Sequence, residues 1–326
     1  MVKPQKEQTL KKSSVIILGS ILAFCASAEA ASRLLVSEAI DRDEPRFMKR
    51  IRPLLRGSKY DAALTKKRDI AAERLKNTDT ETVTVKAHDN VTLVGHLRRS
   101  PKEKRIILAA HGWRSSWTKD FGAISDFLYD EGCTVLYIEQ RGQGESGGEY
   151  MTCGSLERLD LLTWLDWIVH SVSAENLPIY LYGISMGATS VLLASGLTLP
   201  DNVRGIIADC GFTSSEEIWR HVTEDNLHLS YPLIKRRVDS LYRRKTGVDP
   251  SSVSTVNAMK KNDLPVLFIH GIDDTFVPLK MTLKAFNACH APKELLITEN
   301  ASHAMNYLAG PDKYKDALRD LWNPGK

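Results

Sequence analysis

Apolar residues along the chain fall into two rhythms. Short runs dominated by apolar side chains occur from Arg105 to Ala110, Cys133 to Ile138, Pro178 to Tyr182, Val203 to Ala208, Leu264 to His270 and Glu294 to Thr298. Unbroken runs of this length are expected of strands buried on both faces. Between them, apolar residues recur three and four apart and predict helices. One runs from about Trp117 to Glu131, with Phe121, Ile124, Phe127 and Leu128 on one face. Others are marked by Leu156, Leu159, Leu162, Leu165 and Val169, by the small-residue run from Ala188 to Leu193 that begins a helix to Leu197, by Leu279 to Cys289 and by Pro311 to Leu321. Ahead of these, 81–87 and 91–99 alternate apolar and polar residues around His88-Asp89-Asn90, which predicts an antiparallel hairpin. Strands alternating with helices predict an α/β fold: a mainly parallel sheet with helices on both faces.

Two regions depart from this rhythm. Residues 212–250 are rich in charge and aromatics and predict a helical cap of two or three helices inserted into the α/β domain. The N-terminus carries Lys3, Lys6, Lys11 and Lys12 ahead of a hydrophobic segment from Val15 to Ala28, with Ala26-Ser27-Ala28 as a candidate cleavage site. That pattern resembles a secretory signal. The segment is short for a spanning helix, which usually needs ~20 residues, yet small and apolar residues continue to Val36. The chain therefore divides into an N-terminal signal or anchor segment at 1–36, a charged helical linker at 37–79 that packs on the domain or forms a stalk, and an α/β domain at 80–326. Basic residues on both sides of the hydrophobic segment leave its orientation open.

Composition narrows the function more than it defines it. The 326 residues, 43% hydrophobic and 26% charged, suit one large globular domain plus a tail. A net charge of +4 without aromatic-basic interleaving argues against nucleic-acid binding. The five cysteines lack CxxC pairing, so neither a metal site nor a disulfide framework is indicated.

The candidate chemistry centres on Leu181-Tyr182-Gly183-Ile184-Ser185-Met186-Gly187-Ala188. A strand enters this stretch and a helix leaves it, so Ser185 sits at the apex of a very tight turn. Gly183 and Gly187 stand where a Cβ would strike the packed strand or helix. A serine hydroxyl needs a base within reach, and the base needs an orienting acid. Asp274 and His303 follow in that chain order, each just past a strand, as do His111 and Ser185. Ligands of parallel sheets bind beyond those strand ends. Asp273 and Asp209 are also available as the acid. Asp274 is favoured, with Asp273 capping its loop and Asp209 closing the turn into the cap. His111, His270 and Cys210 read as structural residues rather than as a second base or a nucleophile.

The chain from about Thr80 to Trp322 resembles the α/β-hydrolase superfamily, in its bacterial serine aminopeptidase S33-like or lysophospholipase-like branch. The resemblance rests on His111-Gly112-Trp113, Arg141-Gly142-Gln143-Gly144-Glu145-Ser146, Gly183-Ile184-Ser185-Met186-Gly187, Asp209-Cys210-Gly211-Phe212-Thr213-Ser214, His270-Gly271 with Asp274 and Val277-Pro278, and Ser302-His303. It implies a serine hydrolase with Ser185, His303 and Asp274 as catalytic residues, the acid being the fifth residue of His-Gly-x-x-Asp. The backbone N–H groups of Trp113 and Met186 would form the oxyanion hole. Members of this branch often carry an N-terminal anchor, which favours anchoring over cleavage and an extracytoplasmic domain at the cell membrane or secreted. No metal or organic cofactor is required.

The expected substrate is a small acyl compound, lipid-like in one reading. Ester hydrolysis is favoured over thioester or peptide cleavage, because ester leaving groups make fewer demands on a site. A silent binding protein that kept the fold is the rival of a different class. The cap offers two readings. In one it is a lid with an acyl pocket and a basic rim for anionic headgroups, formed by Lys235-Arg236-Arg237 and Arg243-Arg244-Lys245. In the favoured one it is a helical pair with an apolar underside and a solvated basic face. An aminopeptidase would instead need acidic groups for the substrate amine, for which Glu216, Glu217, Glu224 and Asp225 are candidates.

Overall fold

The computed structural model describes residues 27–44, 62–172 and 177–323. The signal-like residues 1–26 lie outside these. Among the described residues no helix is long and apolar enough to cross a membrane.

Eight strands form one sheet: β1 (Glu81–Lys86), β2 (Thr92–Arg98), β3 (Arg105–Ala110), β4 (Cys133–Glu139), β5 (Ile179–Ile184), β6 (Val203–Asp209), β7 (Val266–Gly271) and β8 (Lys293–Thr298). Their order is β1-β2-β4-β3-β5-β6-β7-β8. The expected hairpin is β1 with β2, both antiparallel to their neighbours, and every pairing from β4 onward is parallel. The unbroken runs β3, β4, β5 and β7 are buried along their whole length, whereas β1 at the edge alternates in exposure. In β3, Ile106, Leu108 and Ala110 face one side of the sheet and Ile107 and Ala109 the other, as the strand pleat requires.

Helices cover both faces. The helix predicted at 117–131 is two pieces, α3 (Trp117–Phe121) and α4 (Ser125–Asp130). The break spans residues 122–124, beside the point where α2 (Ala62–Lys76) runs against the chain: a Cβ on Gly122 would lie 2.6 Å from the Ala71 carbonyl oxygen. Apolar spacing carries no trace of that approach. Leu75 of α2 is fully buried with Phe121 and Leu128, so this part of the linker packs on the domain. Helix α5 (Glu157–Ser171) lies on the opposite face with Leu161, Trp164 and Ile168 buried. Helix α6 (Met186–Ala194) ends three residues before the expected Leu197.

The insertion after β6 contains α7 (Ser215–His221), one π-helical turn at Val222–Asn226, and α8 (Tyr231–Thr246). Ile234, Val238, Leu241 and Tyr242 form the buried underside of α8. Its basic residues are largely neutralised: Lys235 pairs with Glu216 and Asp239, Arg237 with Glu29, Arg243 with Asp249 and Lys245 with Asp41. That arrangement fits the apolar-underside reading better than a basic rim waiting for headgroups. The chain closes with α9 (Thr255–Met259), α10 (Leu279–Ala288), α11 (Asn306–Ala309) and α12 (Pro311–Trp322). Residues 27–40 form a helix, α1, whose Val36, Ala39 and Ile40 pack with Trp219, Tyr242 and Met186. Helix α1 therefore lies against the insertion and the start of α6.

The loop after β4 is held by a buried fork. Arg141 donates to both Asp160 carboxylate oxygens at 2.6 and 2.5 Å and to Asp89 at 2.8 Å, joining the β1–β2 turn to α5. Removing one partner of such a pair leaves a buried charge uncompensated. Arg141→Ala is expected to lower unfolding free energy by about 3–5 kcal/mol, read as a fall in the urea midpoint. A midpoint unchanged from wild type would show that the fork contributes nothing.

Candidate active site

The site is assembled at the carboxyl ends of the parallel strands. β5 delivers Ser185 with φ 56° and ψ −117°, a conformation non-glycine residues rarely adopt. Packing holds it there. The Ser185 N–H donates to the Asp209 carbonyl at the end of β6 at 2.7 Å. A Cβ on Gly183 would lie 2.2 Å from the Gly187 carbonyl, and one on Gly187 would lie 1.9 Å from the Ala110 oxygen. Both glycines are thus required by close approach, as the spacing around Ser185 predicts.

Past β7, Asp274 is buried while Asp273 is exposed. One Asp274 oxygen accepts the Phe276 and Val277 N–H groups, each at 2.9 Å, and the other lies 2.6 Å from Nδ1 of His303. Nε2 of His303 lies 2.8 Å from Ser185 Oγ. A carboxylate opposite Nδ1 keeps the proton on that nitrogen and leaves Nε2 as the acceptor of the serine proton. Burial depresses the His303 pKa, but the charge and hydrogen bond of Asp274, joined by the charges of Asp209 and Asp120, raise it above the ordinary 6.5. Ser185, His303 and Asp274 are therefore brought together in one line of hydrogen bonds.

The neighbouring loops complete the geometry. Met186 opens α6, where an N–H has no intrahelical acceptor. The Gly112-Trp113 loop runs so close that a Cβ on Gly112 would sit 3.1 Å from the Ser185 Cβ. The Gly112 N–H is itself spent on Asp120 Oδ2 at 2.7 Å, and Ser115 Oγ donates to the other Asp120 oxygen at 2.6 Å. His111 is buried and accepts the Gln140 N–H at Nε2, donating from Nδ1 to the Gly112 carbonyl; burial pushes its pKa down. His270 is likewise tied, at Nε2 to the Val277 carbonyl and at Nδ1 to Thr282. Both histidines hold loops in place, as expected.

Asp209 differs from expectation. Its side chain does not close the turn into the insertion. It accepts hydrogen bonds from Asn306 at 2.5 Å and Tyr314 at 2.9 Å, and Tyr314 also meets the Tyr182 hydroxyl at 2.5 Å. Burial pushes its carboxyl up to about 6 against the pull of those hydrogen bonds. Asp209 thus ties the segment that follows His303 to the strand beside Ser185. Asn306, Tyr314 and Asp120 carried no sequence signal, because each reaches the site from an element of its own. Cys210, Asp274 and His303 offer sulfur, oxygen and nitrogen within 4.8 Å of one another. The last two are committed to each other and to Ser185. Burial, with the charges of Asp209 and Asp274, keeps the Cys210 thiol protonated. That donor set suits proton relay rather than a metal ion.

A strand-to-helix serine turn at the crest of this sheet defines an α/β hydrolase. Residues 101–259 match the family described as "Serine aminopeptidase, S33". The chain is 30% identical to the uncharacterised protein YqkD of Bacillus subtilis (strain 168) over 216 residues, 66% of this chain and 70% of that protein. It belongs to the S33-like branch of the α/β-hydrolase superfamily. Among solved structures it is similar to the Pyrococcus furiosus esterase Pf2001, with TM-score 0.62 and 22% identity over 76% of this chain and 92% of that one. It is also similar to Est1E of Butyrivibrio proteoclasticus, solved with ferulic acid, with TM-score 0.57 and 18% identity over 74% and 97%. The protein is a hydrolase of the α/β-hydrolase fold.

Proposed function

We propose that the protein hydrolyses small acyl esters through an acyl-serine intermediate. The observation that carries this reading is the chain of hydrogen bonds from Ser185 through His303 to Asp274. Ser185 Oγ attacks the ester carbonyl carbon while His303 Nε2 takes the hydroxyl proton. The developing oxyanion accepts hydrogen bonds from the backbone N–H groups of Met186 and Trp113. Collapse of the adduct breaks the bond to the alkoxy group, which receives its proton from His303. A water then gives a proton to the same nitrogen and attacks the acyl carbon, releasing the acid and restoring Ser185.

Ester cleavage is favoured over removal of an N-terminal amino acid because three of the four candidate acidic groups of the insertion, all but Glu224, are already engaged. Glu216 pairs with Lys235 and Arg220, Glu217 with Lys284, and Asp225 with His221. A substrate ammonium would have to displace those partners. The deciding assay sets p-nitrophenyl esters of graded chain length beside aminoacyl anilides and a fluorophosphonate probe. Turnover of esters with labelling of Ser185 is expected. A folded protein that neither labels nor hydrolyses would overturn the reading in favour of a silent binding protein, and preferential cleavage of anilides would make it a peptidase. Membrane attachment or export rests separately on the apolar run from Val15 to Ala28. Recovery of the intact chain in the soluble fraction of lysed cells would overturn attachment.

The pH dependence has a definite sign. Only neutral His303 accepts the serine proton, and its pKa is raised from 6.5. The acid limb of kcat/KM is therefore expected above pH 6.5, with activity rising as pH rises through it. A limb at or below that value would contradict the influence of Asp274 on the imidazole.

A further inference from the structure

We infer that Arg114 is a positioning residue, which fastens the Trp113 loop to the last turn of α1 and so makes residues 38–42 part of the active-site wall. This rests on the hydrolase reading above and assigns a role outside the matched residues 101–259 to the segment that precedes the domain.

The contact is built from consecutive side chains. Trp113 donates from its indole Nε1 to the Ala39 carbonyl at 2.8 Å. Arg114 donates from Nη2 to the carbonyls of Glu38 at 2.9 Å and Asp41 at 2.7 Å, from Nε to Glu38 at 3.2 Å, and from Nη1 to Arg42 at 3.3 Å. Carbonyls in the last turn of a helix have no intrahelical donor, and a cation there meets the negative end of the helix dipole. Arg114 adopts φ 47°, in the left-handed region, and its guanidinium lies 5.3 Å from the Trp113 ring. The backbone of the loop is therefore bent into this shape while both side chains turn toward α1.

Helix α1 is in turn fixed from several sides. The Met151 N–H donates to the Ile40 carbonyl at 2.7 Å, and Arg42 reaches the Gly144 and Ser146 carbonyls, each at 2.5 Å. Toward the reaction centre, Trp113 stacks on Phe276 with ring centres 6.1 Å apart, and Phe276 meets His303 edge-on at 5.0 Å. Asp120, on α3, holds the Gly112 N–H. The amide of Trp113 thus lies in a loop clamped between Asp120 and α1. A donor displaced by about 1 Å from the oxyanion position costs on the order of 10²-fold in rate.

The test uses the full chain with Arg114→Ala and the milder Arg114→Lys. Arg114→Ala is expected to lower kcat about 10- to 100-fold on a p-nitrophenyl ester while KM changes less than about threefold. Added methylguanidinium is expected to restore part of that kcat, and Arg114→Lys to fall between the two proteins. Hydrogen exchange is expected to rise in peptides covering 111–116 and 36–42 of the alanine variant. Unchanged kcat with a lowered melting temperature would overturn the proposal, since the residue would then serve only stability. If wild type neither hydrolyses nor labels, the hydrolase reading is what fails. The clamp is then judged on exchange, and unchanged exchange in 111–116 overturns it too.

Discussion

Ser185→Ala is expected to lower kcat by about 10⁶-fold while leaving the fold intact. The substitution removes the atom proposed to form the acyl bond, and among the described residues Oγ is hydrogen-bonded to His303 Nε2 alone. Alanine occupies the same tight volume, so the melting temperature should change little. His303→Ala should cost about as much alone, and the double variant no more than either, because the two groups act in one step. Steady-state kinetics of the three variants, with fluorophosphonate labelling as a control, measure this. Retention of more than about a hundredth of wild-type kcat in Ser185→Ala would place the nucleophile elsewhere, against the expected loss.

Asp274→Asn is expected to cost about 10⁴-fold in kcat through the wrong tautomer rather than through lost packing. An asparagine carbonyl can still accept the Phe276 and Val277 N–H groups that Oδ1 accepts now. Its amide nitrogen then faces His303 Nδ1, which must become an acceptor. The proton moves to Nε2, and Ser185 faces a donor where it needs a base. Removing the carboxylate also removes the main attraction that raises the imidazole pKa, so the acid limb of the residual activity should shift to lower pH. Asp273→Asn is the control: that side chain is exposed and should leave the rate near wild type. Equal losses in the two variants would reassign the acid.

Particular residues show how far the pattern of the chain could be followed. Ser185 and His303 were legible because each follows a short apolar run, and parallel strands bring such ends to one edge; the same position favoured Asp274 but left Asp273 and Asp209 open. Gly183 and Gly187 were legible because a turn this tight admits no side chain there. The hairpin, the parallel sheet and the helices of both faces followed from periods of two and of three to four. Asp209 was misplaced, since its position after a strand allows either the turn or the buried network with Asn306 and Tyr314, 97 and 105 residues away.

The amino-acid order thus determined the elements, their alternation and the edge of the sheet where chemistry could occur. Those properties depend on each residue and its near neighbours, whose spacing the chain displays directly. Tertiary structure decided which aspartate faces His303, that α2 packs against Gly122 beside the interruption between α3 and α4, and that α1 turns back to bind Trp113 and Arg114. Each of those outcomes depends on where a backbone carbonyl or carboxylate arrives from a distant element. A carbonyl is present in every residue, so no side-chain pattern marks the ones that Arg114 will find.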